Sequence, residues 1–244
     1  MTEQRYCVVL GASGGIGEAI CRSLAASGWS LYLHFHSNQE RVASLQAELT
    51  EMFPQSDFQA VQADFTKIDG ADELAKKVKR VTAIVVANGQ SIIKLLTETT
   101  AMEMDALWKV HVQNPVRFIS LVSGQLRRVE KSYVVFIGSI WGNTGAAGEV
   151  MYSAVKGAQH AFVKAYAKEA AFSGTRVNAI APGWIDTRMN EAFSPEERQM
   201  VIDEIPLMQT GTPIHIAEAV DFLINGKADY MTGEIMNING GWSI

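Results

Sequence analysis

The chain has 244 residues, of which 48% are hydrophobic and 19% are charged, and its formal net charge is −5. This composition is typical of a globular protein that buries a sizeable core, and the negative charge argues against nucleic acid as a partner. No run approaches the ~18 apolar residues that cross a membrane, and the first residues lack the pattern of a secretory signal, so we expect a cytoplasmic protein.

Seven short β-rich runs alternate with longer helical patterns along the chain. YCVVL precedes GEAICRSLAAS, WSLYLHF precedes NQERVASLQAELTEMF, and FQAVQA precedes ADELAKKVKR. AIVVA precedes an amphipathic stretch from about Met102 to Leu126, and SYVVFIG precedes a long helix from about Val150 to Phe172. TRVNAIA is followed by a loop and two helical patterns, and EIMNING is the last run. This alternation predicts an α/β fold, a single domain over residues 1–244 with a doubly wound seven-stranded parallel sheet and helices on both faces.

The segment from about residue 184 to residue 208 is the least regular part of the chain. It is a long insertion between the sixth strand and the last helix, and such insertions are usually lids or binding loops. We expect it to close over the substrate with one apolar face, formed by Met189, Phe193, Met200, Ile205 and Met208. The alternative is a surface helical hairpin that only packs on the sheet.

A glycine-rich turn, GASGGIG, follows the first strand and opens the first helix. In a doubly wound fold this turn brings backbone N–H groups against a pyrophosphate. Gly11, Gly15 and Gly17 give the spacing G-x-x-x-G-x-G, and the longer first gap leaves room for the Ser13 hydroxyl to reach a phosphate. A purely structural turn is the alternative, because either glycine pattern alone is a weak signal.

Three polar residues of SIWGNTGAAGEVMYSAVKGA form the candidate catalytic set. Ser139 follows an apolar strand, and Tyr152 and Lys156 lie four residues apart in a predicted helix, so they share one helical face. A free tyrosine has a pKa near ~10, and a nearby ammonium favours the phenolate and makes proton transfer at neutral pH easier. Ser139 is placed to hold a carbonyl or alcohol oxygen while Tyr152 moves the proton.

The glycine turn, this catalytic set, APGWIDT and TGEIMNINGG together resemble the short-chain dehydrogenase/reductase family along essentially the whole chain. The resemblance implies a Rossmann fold, usually a homotetramer or homodimer, and hydride transfer between a nicotinamide and a carbonyl or alcohol. It implies that Tyr152 is the general acid/base, that Lys156 lowers the pKa of Tyr152 and holds the nicotinamide ribose, and that Ser139 orients the substrate oxygen. The cofactor contacts implied are Gly11, Ser13, Gly15, Ile16, Gly17, Asp64 and Phe65, Asn88, Gly89, Tyr152, Lys156, Pro182, Gly183, Ile185 and Thr187, with Asp64 on the adenine.

The chain departs from the family pattern at three places. Leu10 replaces the usual threonine before the first glycine, and the family's N-N-A-G reads VANG. The asparagine of the catalytic tetrad, 28 residues before the serine, falls at 139 − 28 = 111, which is His111, while Asn114 has a different offset. In the family this residue acts mainly through its main-chain carbonyl, which holds a water of the proton relay. His111 is therefore a candidate for that role, or a side chain that fills a kink in the helix.

The end of the second strand predicts NADP(H) as the cofactor. An acid there would bind the ribose 2′-hydroxyl and repel a 2′-phosphate, but LHFHSNQ contains no carboxylate. Phe35 takes the place of the acid, and His36, Ser37 and Asn38 are candidate phosphate ligands. Against this assignment, Gly14 stands where many NADP-dependent family members carry an arginine.

We expect the substrate to be a ketone, because the chain resembles two kinds of ketone reductase. Broadly it looks like the 3-oxoacyl-[acyl-carrier-protein] reductases, and Arg127, Arg128 and Lys131 are a candidate basic patch for an acidic carrier. LHFHSNQ, SIWGNTGAAGEVMYS and KGAQHAFVKAYAKE are closer to a bacillus-type subgroup that reduces a 5-aminopentanone group on a lysine of elongation factor P. A non-catalytic nucleotide sensor is a further alternative, although such proteins commonly lose the tyrosine or the lysine. The histidine spacing predicts no metal.

Overall fold

A parallel sheet of seven strands forms the centre of the protein, as the sequence pattern predicts. The computed structural model describes residues 4–190 and 193–244, apart from the side chain of Met189. The strands are β1 (Tyr6–Leu10), β2 (Ser30–Phe35), β3 (Phe58–Gln62), β4 (Ala83–Val86), β5 (Ser132–Ile137), β6 (Thr175–Pro182) and β7 (Ile235–Ile238). Their order in the sheet is β3-β2-β1-β4-β5-β6-β7, and every neighbouring pair is parallel.

Helices cover both faces of this sheet. They are α1 (Gly15–Ala26), α2 (Gln39–Met52), α3 (Gly70–Lys77), α4 (Ala101–Trp108), α5 (Asn114–Leu126), α6 (Trp141–Thr144), α7 (Val150–Ala170), α8 (Pro195–Glu204) and α9 (Pro213–Ile224). The short α6 has no counterpart in the sequence pattern, because one turn is too short to show a helical period.

The two faces of the sheet bury two separate cores, which is why the strands read as continuous apolar runs. On one face Cys7 and Val9 of β1 pack with residues of α1, α2 and α9. On the other face Val8 and Leu10 pack with residues of α3, α5 and α7. Successive side chains of a strand point to opposite faces, so a strand buried on both sides must be apolar at every position.

The strand order reverses between β1 and β4, where the chain crosses from one half of the sheet to the other. In open parallel sheets this reversal leaves a crevice outside the carboxyl ends of the strands, and ligands bind there. The turn after β1 and the loops after β4, β5 and β6 meet at this edge. The described chain contains no helix with both the length and the apolarity to span a bilayer.

The predicted helix from 102 to 126 is interrupted in the middle. A π-helical turn, Lys109–Gln113, separates α4 from α5 and contains His111. Such turns are frequent at functional sites. Asn114, one residue later, is buried, and its side chain accepts the Ala71 N–H and donates to the carbonyls of Phe65 and Lys67. Asn114 therefore anchors the loop after β3, whereas His111 faces the crevice.

Candidate active site

A cavity of about 1050 Å³ opens at the carboxyl ends of the strands, and a smaller one of about 240 Å³ adjoins it. The larger cavity is lined by the catalytic candidates Ser139, Tyr152, Lys156 and His111 and by the cofactor candidates Gly15, Ile16, Gly17, Asn38, Asn88, Gly89, Pro182, Gly183, Ile185 and Thr187. Gly11, Ser13, His36 and Phe65 line the smaller cavity, together with Asn38, Asn88 and Gly89. Residues that lie far apart in the sequence thus meet in one crevice. Ser37 and Asp64 line neither cavity.

The glycine turn requires glycine at two positions because the surrounding backbone packs closely against it. Gly11 has a φ of +82°, and a Cβ atom there would lie 2.6 Å from the Cα of Asn88. At Gly17 a Cβ atom would collide with the carbonyl of Gly11. Gly14 caps α1 without a side-chain hydrogen bond, so the N–H groups of the first helical turn keep their hydrogen-bonding capacity for an anion.

The catalytic candidates come from two elements that meet at the end of β5. Ser139 lies in the loop after β5, where its hydroxyl oxygen accepts the N–H of Trp141 at 3.2 Å, which leaves its own O–H to donate. One turn of α7 separates Tyr152 from Lys156, and the Lys156 Nζ lies 5.5 Å from the centre of the Tyr152 ring. The Lys156 ammonium donates to the Ile137 carbonyl at 2.8 Å.

Burial controls the protonation of this pair. It lowers the pKa of Lys156 to about 7, because an ammonium loses its hydration inside the protein. Burial, and then the Glu149 carboxylate, raise the pKa of Tyr152, while the Ser139 side chain lowers it. Lys156 is not among the groups that shift the Tyr152 pKa in this arrangement, so its expected lowering of that pKa stays a prediction.

His111, the candidate for the fourth residue of the catalytic tetrad, lies in the π-helical turn and lines the large cavity. Burial, followed by the nearby charge of Lys156, lowers its pKa to about 3, so the ring is neutral at physiological pH. Its Nε2 lies 2.9 Å from the carbonyl oxygen of Gln90, its Nδ1 is buried without a partner, and its ring meets the Tyr152 ring edge-on at 5.7 Å. Its main-chain carbonyl accepts the Gln159 side-chain amide at 2.7 Å, a partner that the sequence analysis does not foresee.

The smaller cavity lies beside the end of β2. The Phe35 side chain is only 5% exposed and packs in the core. It offers no carboxylate at this strand end, and its place at the position of the family's acid stays a prediction. His36 faces the cavity instead. Asp64 Oδ1 accepts hydrogen bonds from the main-chain N–H and the hydroxyl of Thr66 and lies 3.4 Å from His36, and the expected contact of Asp64 with the adenine stays a prediction.

The outer part of the large cavity carries residues that the sequence analysis does not assign to the site. Trp141 and Trp242 meet edge-on with their rings 5.1 Å apart. The indole N–H of Trp242 donates to the Glu204 carboxylate at 3.1 Å. Burial raises the pKa of the half-buried Glu149, and the nearby Trp141 side chain opposes that shift. Both carboxylates thus lie beside an indole at this end of the cavity.

The described parts of the segment from 184 to 208, residues 184–190 and 193–208, line one side of this cavity. The rings of Trp184 and Phe193 meet edge-on at 4.8 Å, and α8 presents Val201 and Glu204 to the cavity. The predicted apolar face is partly wrong: Ile205 is buried, but Met200 and Met208 are 67% and 60% exposed. The side chain of Met189 lies outside the described part of the chain. Ser194 is the N-cap of α8 and forms a capping box with Glu197. In the helix that begins there, the side chain of Met200 points towards solvent.

Comparison with known proteins assigns this architecture to a family. Residues 11–243 match the family model described as enoyl-(acyl carrier protein) reductase. The chain is 44% identical over 240 residues to the uncharacterized oxidoreductase YmfI of Bacillus subtilis (strain 168), covering 98% of each chain. It is 31% identical to the 3-oxoacyl-[acyl-carrier-protein] reductase FabG of Staphylococcus epidermidis, covering 97% of this chain and 98% of that protein. The crystal structure of a blue fluorescent protein from a metagenomic library in complex with NADPH superposes with a TM-score of 0.92 at 26% identity, covering 98% of both chains.

Proposed function

Because this chain belongs to the short-chain dehydrogenase/reductase family of oxidoreductases, we propose that it reduces a ketone to a secondary alcohol with NADPH. The observation that carries the proposal is the convergence of Ser139, Tyr152 and Lys156 on a cavity that the glycine turn borders at its other end. A non-catalytic nucleotide sensor has no need of this set. Assembly as a homotetramer or homodimer in the cytoplasm belongs to the same proposal and rests on the family resemblance.

The crevice fits a nicotinamide dinucleotide. The glycine turn and the N-terminus of α1 suit its diphosphate, and no carboxylate is among the described residues that line the smaller cavity, where a 2′-phosphate would otherwise be repelled. Two buried polar atoms without a partner, Asn88 Oδ1 and His111 Nδ1, lie on residues that line the crevice. NADP(H), when bound, supplies the hydride of the reduction.

The residues of the chain orient the ketone and supply its proton. The Ser139 O–H donates to the carbonyl oxygen and holds it against the Tyr152 hydroxyl, which gives its proton as negative charge develops on that oxygen. The raised pKa of Tyr152 keeps the phenol protonated, as a reductase needs. Lys156 holds the cofactor ribose and helps to return a proton to the Tyr152 hydroxyl after each reduction. His111, neutral and packed against the Tyr152 ring, fixes the position of that ring.

We assign the substrate to the 5-aminopentanone group on a lysine of elongation factor P, rather than to a 3-oxoacyl chain on acyl carrier protein. The proposal is supported by the negative charge in the outer part of the large cavity, where Glu149 and Glu204 lie beside two indole rings. Carboxylates and indole faces together suit an ammonium group. The candidate basic patch for an acidic carrier is weaker than its sequence suggests, because Lys131 pairs with Asp229 at 2.6 Å.

The assignment is tested by mass spectrometry of elongation factor P from cells with and without this gene. We expect the lysine modification to stay at the ketone stage, lighter by two hydrogens, when the gene is deleted, and the purified enzyme with NADPH to restore the missing mass. Unchanged elongation factor P, together with rapid reduction of a 3-oxoacyl carrier protein, would instead assign the enzyme to fatty acid synthesis.

We expect the double variant Glu149→Gln and Glu204→Gln to discriminate against cationic ketones. Both amides keep the size of the side chains and remove their charge, so the KM for a trimethylammonium ketone should rise by about tenfold or more, the effect of about 1.4 kcal/mol. The KM for the uncharged isostere, in which carbon replaces the nitrogen, should change little. Equal KM changes for the two ketones would show that these carboxylates do not select a cation.

We propose that the segment from 184 to 208 is a lid over the substrate. It joins the cofactor loop after β6 to α8, which lines the cavity through Val201 and Glu204. Amide hydrogen exchange in α8 should slow when NADPH is added and slow further with a ketone inhibitor, because closure buries the segment. High protection that is the same with and without ligand would make the segment a fixed part of the wall.

A further inference from the structure

Arg188 reaches from the loop after β6 across the crevice to the glycine turn. It opens a short 3₁₀ turn, Arg188–Asn190, and its guanidinium donates to the carbonyl oxygen of Ser13 at 3.0 Å. Arg188 lines both the large and the small cavity. The loop that carries it also packs on the turn, since a Cβ atom on Gly15 would lie 3.3 Å from the side chain of Thr187. Its position beside the turn is therefore fixed from two directions.

Two basic side chains near the end of β2 already contact carboxylates. Arg41, one helical turn beyond the end of β2, forms an ion pair with Glu18 and lines neither cavity. His36 lines the small cavity but faces the Asp64 carboxylate at 3.4 Å. Arg188 forms no ion pair with any side chain in residues 4–190 and 193–244. The acid nearest to it in sequence, Asp186, is bound by Arg198.

The Arg188 guanidinium, which pairs with no carboxylate of the described residues, lines a cavity with no carboxylate among its described lining. An anion that entered this cavity would meet that guanidinium. A guanidinium that uses one N–H on a carbonyl keeps four further donors, and its planar fork matches phosphate oxygens. The N-terminus of α1 already serves the diphosphate, so the charge of Arg188 is available to a second phosphate.

We infer that Arg188 binds the 2′-phosphate of NADP(H) and thereby sets the preference of this enzyme for the phosphorylated cofactor. The inference rests on the proposed function only in taking NADP(H) as the cofactor. Gly14 of the turn has no side chain to offer a charge. Arg188 brings that charge to the same turn from the other side of the crevice. His36 and Asn38 complete the site at the end of β2.

The test is the affinity of Arg188→Gln for the two reduced cofactors, measured by fluorescence titration without any ketone. The Kd for NADPH should rise by about tenfold or more, whereas the Kd for NADH should change by less than about threefold, because NADH lacks the group that Arg188 binds. Adenosine 2′,5′-bisphosphate, a probe with the 2′-phosphate but no nicotinamide, should lose affinity in parallel. Arg188→Lys, which keeps the charge without the fork, should fall between the two proteins.

Arg41→Gln is the matched control. It removes a guanidinium close to the end of β2, but one that Glu18 already binds, and Glu18 keeps Arg22 as a partner at 2.7 Å. We expect its NADPH and NADH affinities to match those of the unmodified protein. An equal loss of both affinities in Arg188→Gln would place Arg188 on the diphosphate and overturn the inference, and so would an unchanged Kd for NADPH. Either result would leave ketone reduction by the unmodified protein intact, so the proposed function is judged separately.

Discussion

Tyr152→Phe should lower the kcat for ketone reduction by roughly 10²- to 10⁴-fold while leaving the Kd for NADPH nearly unchanged. The substitution removes one hydroxyl, the proton donor of the reaction, and keeps the ring that packs edge-on against His111. The substitution leaves the proposed cofactor contacts at the glycine turn, Lys156 and the loop after β6 unchanged. The rate is measured by the loss of NADPH absorbance, and the Kd by fluorescence titration.

Tyr166→Phe is the matched control for this experiment. Tyr166 lies on the same helix, α7, but it stacks on Phe162 at 5.3 Å and lines neither cavity. Its loss of a hydroxyl should leave kcat within about twofold, since surface changes away from a site cost little. A Tyr152→Phe enzyme that kept more than about a tenth of its kcat would remove Tyr152 from the proton transfer.

The sequence predicts the sheet because each strand is buried on two faces. A strand such as β1 must then be apolar throughout, so its run of five apolar residues is visible without any knowledge of its neighbours. The glycine turn and the Tyr152–Lys156 pair are visible for a similar reason: each is a local arrangement whose spacing is fixed by a single turn or helix.

The parts of the site that the sequence does not reveal depend on contacts between distant segments. Trp242 and Glu204 are 38 residues apart, and only the fold brings the indole N–H to the carboxylate. Arg188 and Ser13 are separated by 175 residues. The sequence also does not show which side chain at the end of β2 faces the crevice, because a shift of one residue exchanges the two faces of a strand. Phe35 packs in the core, whereas His36 lines the small cavity.

Lys156→Met should abolish most activity and, at the same time, stabilise the protein in a pH-dependent way. The ammonium is 4% exposed, and the carbonyl of Ile137 is its one recorded hydrogen-bond partner in the described chain. Methionine conserves the length of the side chain and removes the charge. Turnover should fall by roughly 10²-fold or more, and NADPH affinity should fall with it, because the proposed function gives one ammonium both the proton transfer and the cofactor ribose.

The sign of the stability change follows from the lowered pKa of Lys156, about 7 in the folded protein. Below pH 7 the lysine is charged in both the folded and the unfolded chain, so the folded protein bears the full cost of burying the charge. Between pH 7 and the usual lysine pKa of ~10.4 only the unfolded chain holds the proton, and this cost fades as the pH rises. The melting temperature of Lys156→Met, relative to the unmodified protein, should therefore be highest at pH 6 and fall towards pH 10.

Comparing the two pH values separates the charge from the rest of the substitution. The unpaired Ile137 carbonyl and the altered packing weigh equally at pH 6 and pH 10, so they cancel in the difference. Each kcal/mol of charge burial removed shifts the melting temperature of a chain of this size by about 2–4 °C. The measurement is thermal unfolding without cofactor, followed by circular dichroism. If the difference in melting temperature is the same at both pH values, burial of the Lys156 ammonium does not lower the stability of the folded protein.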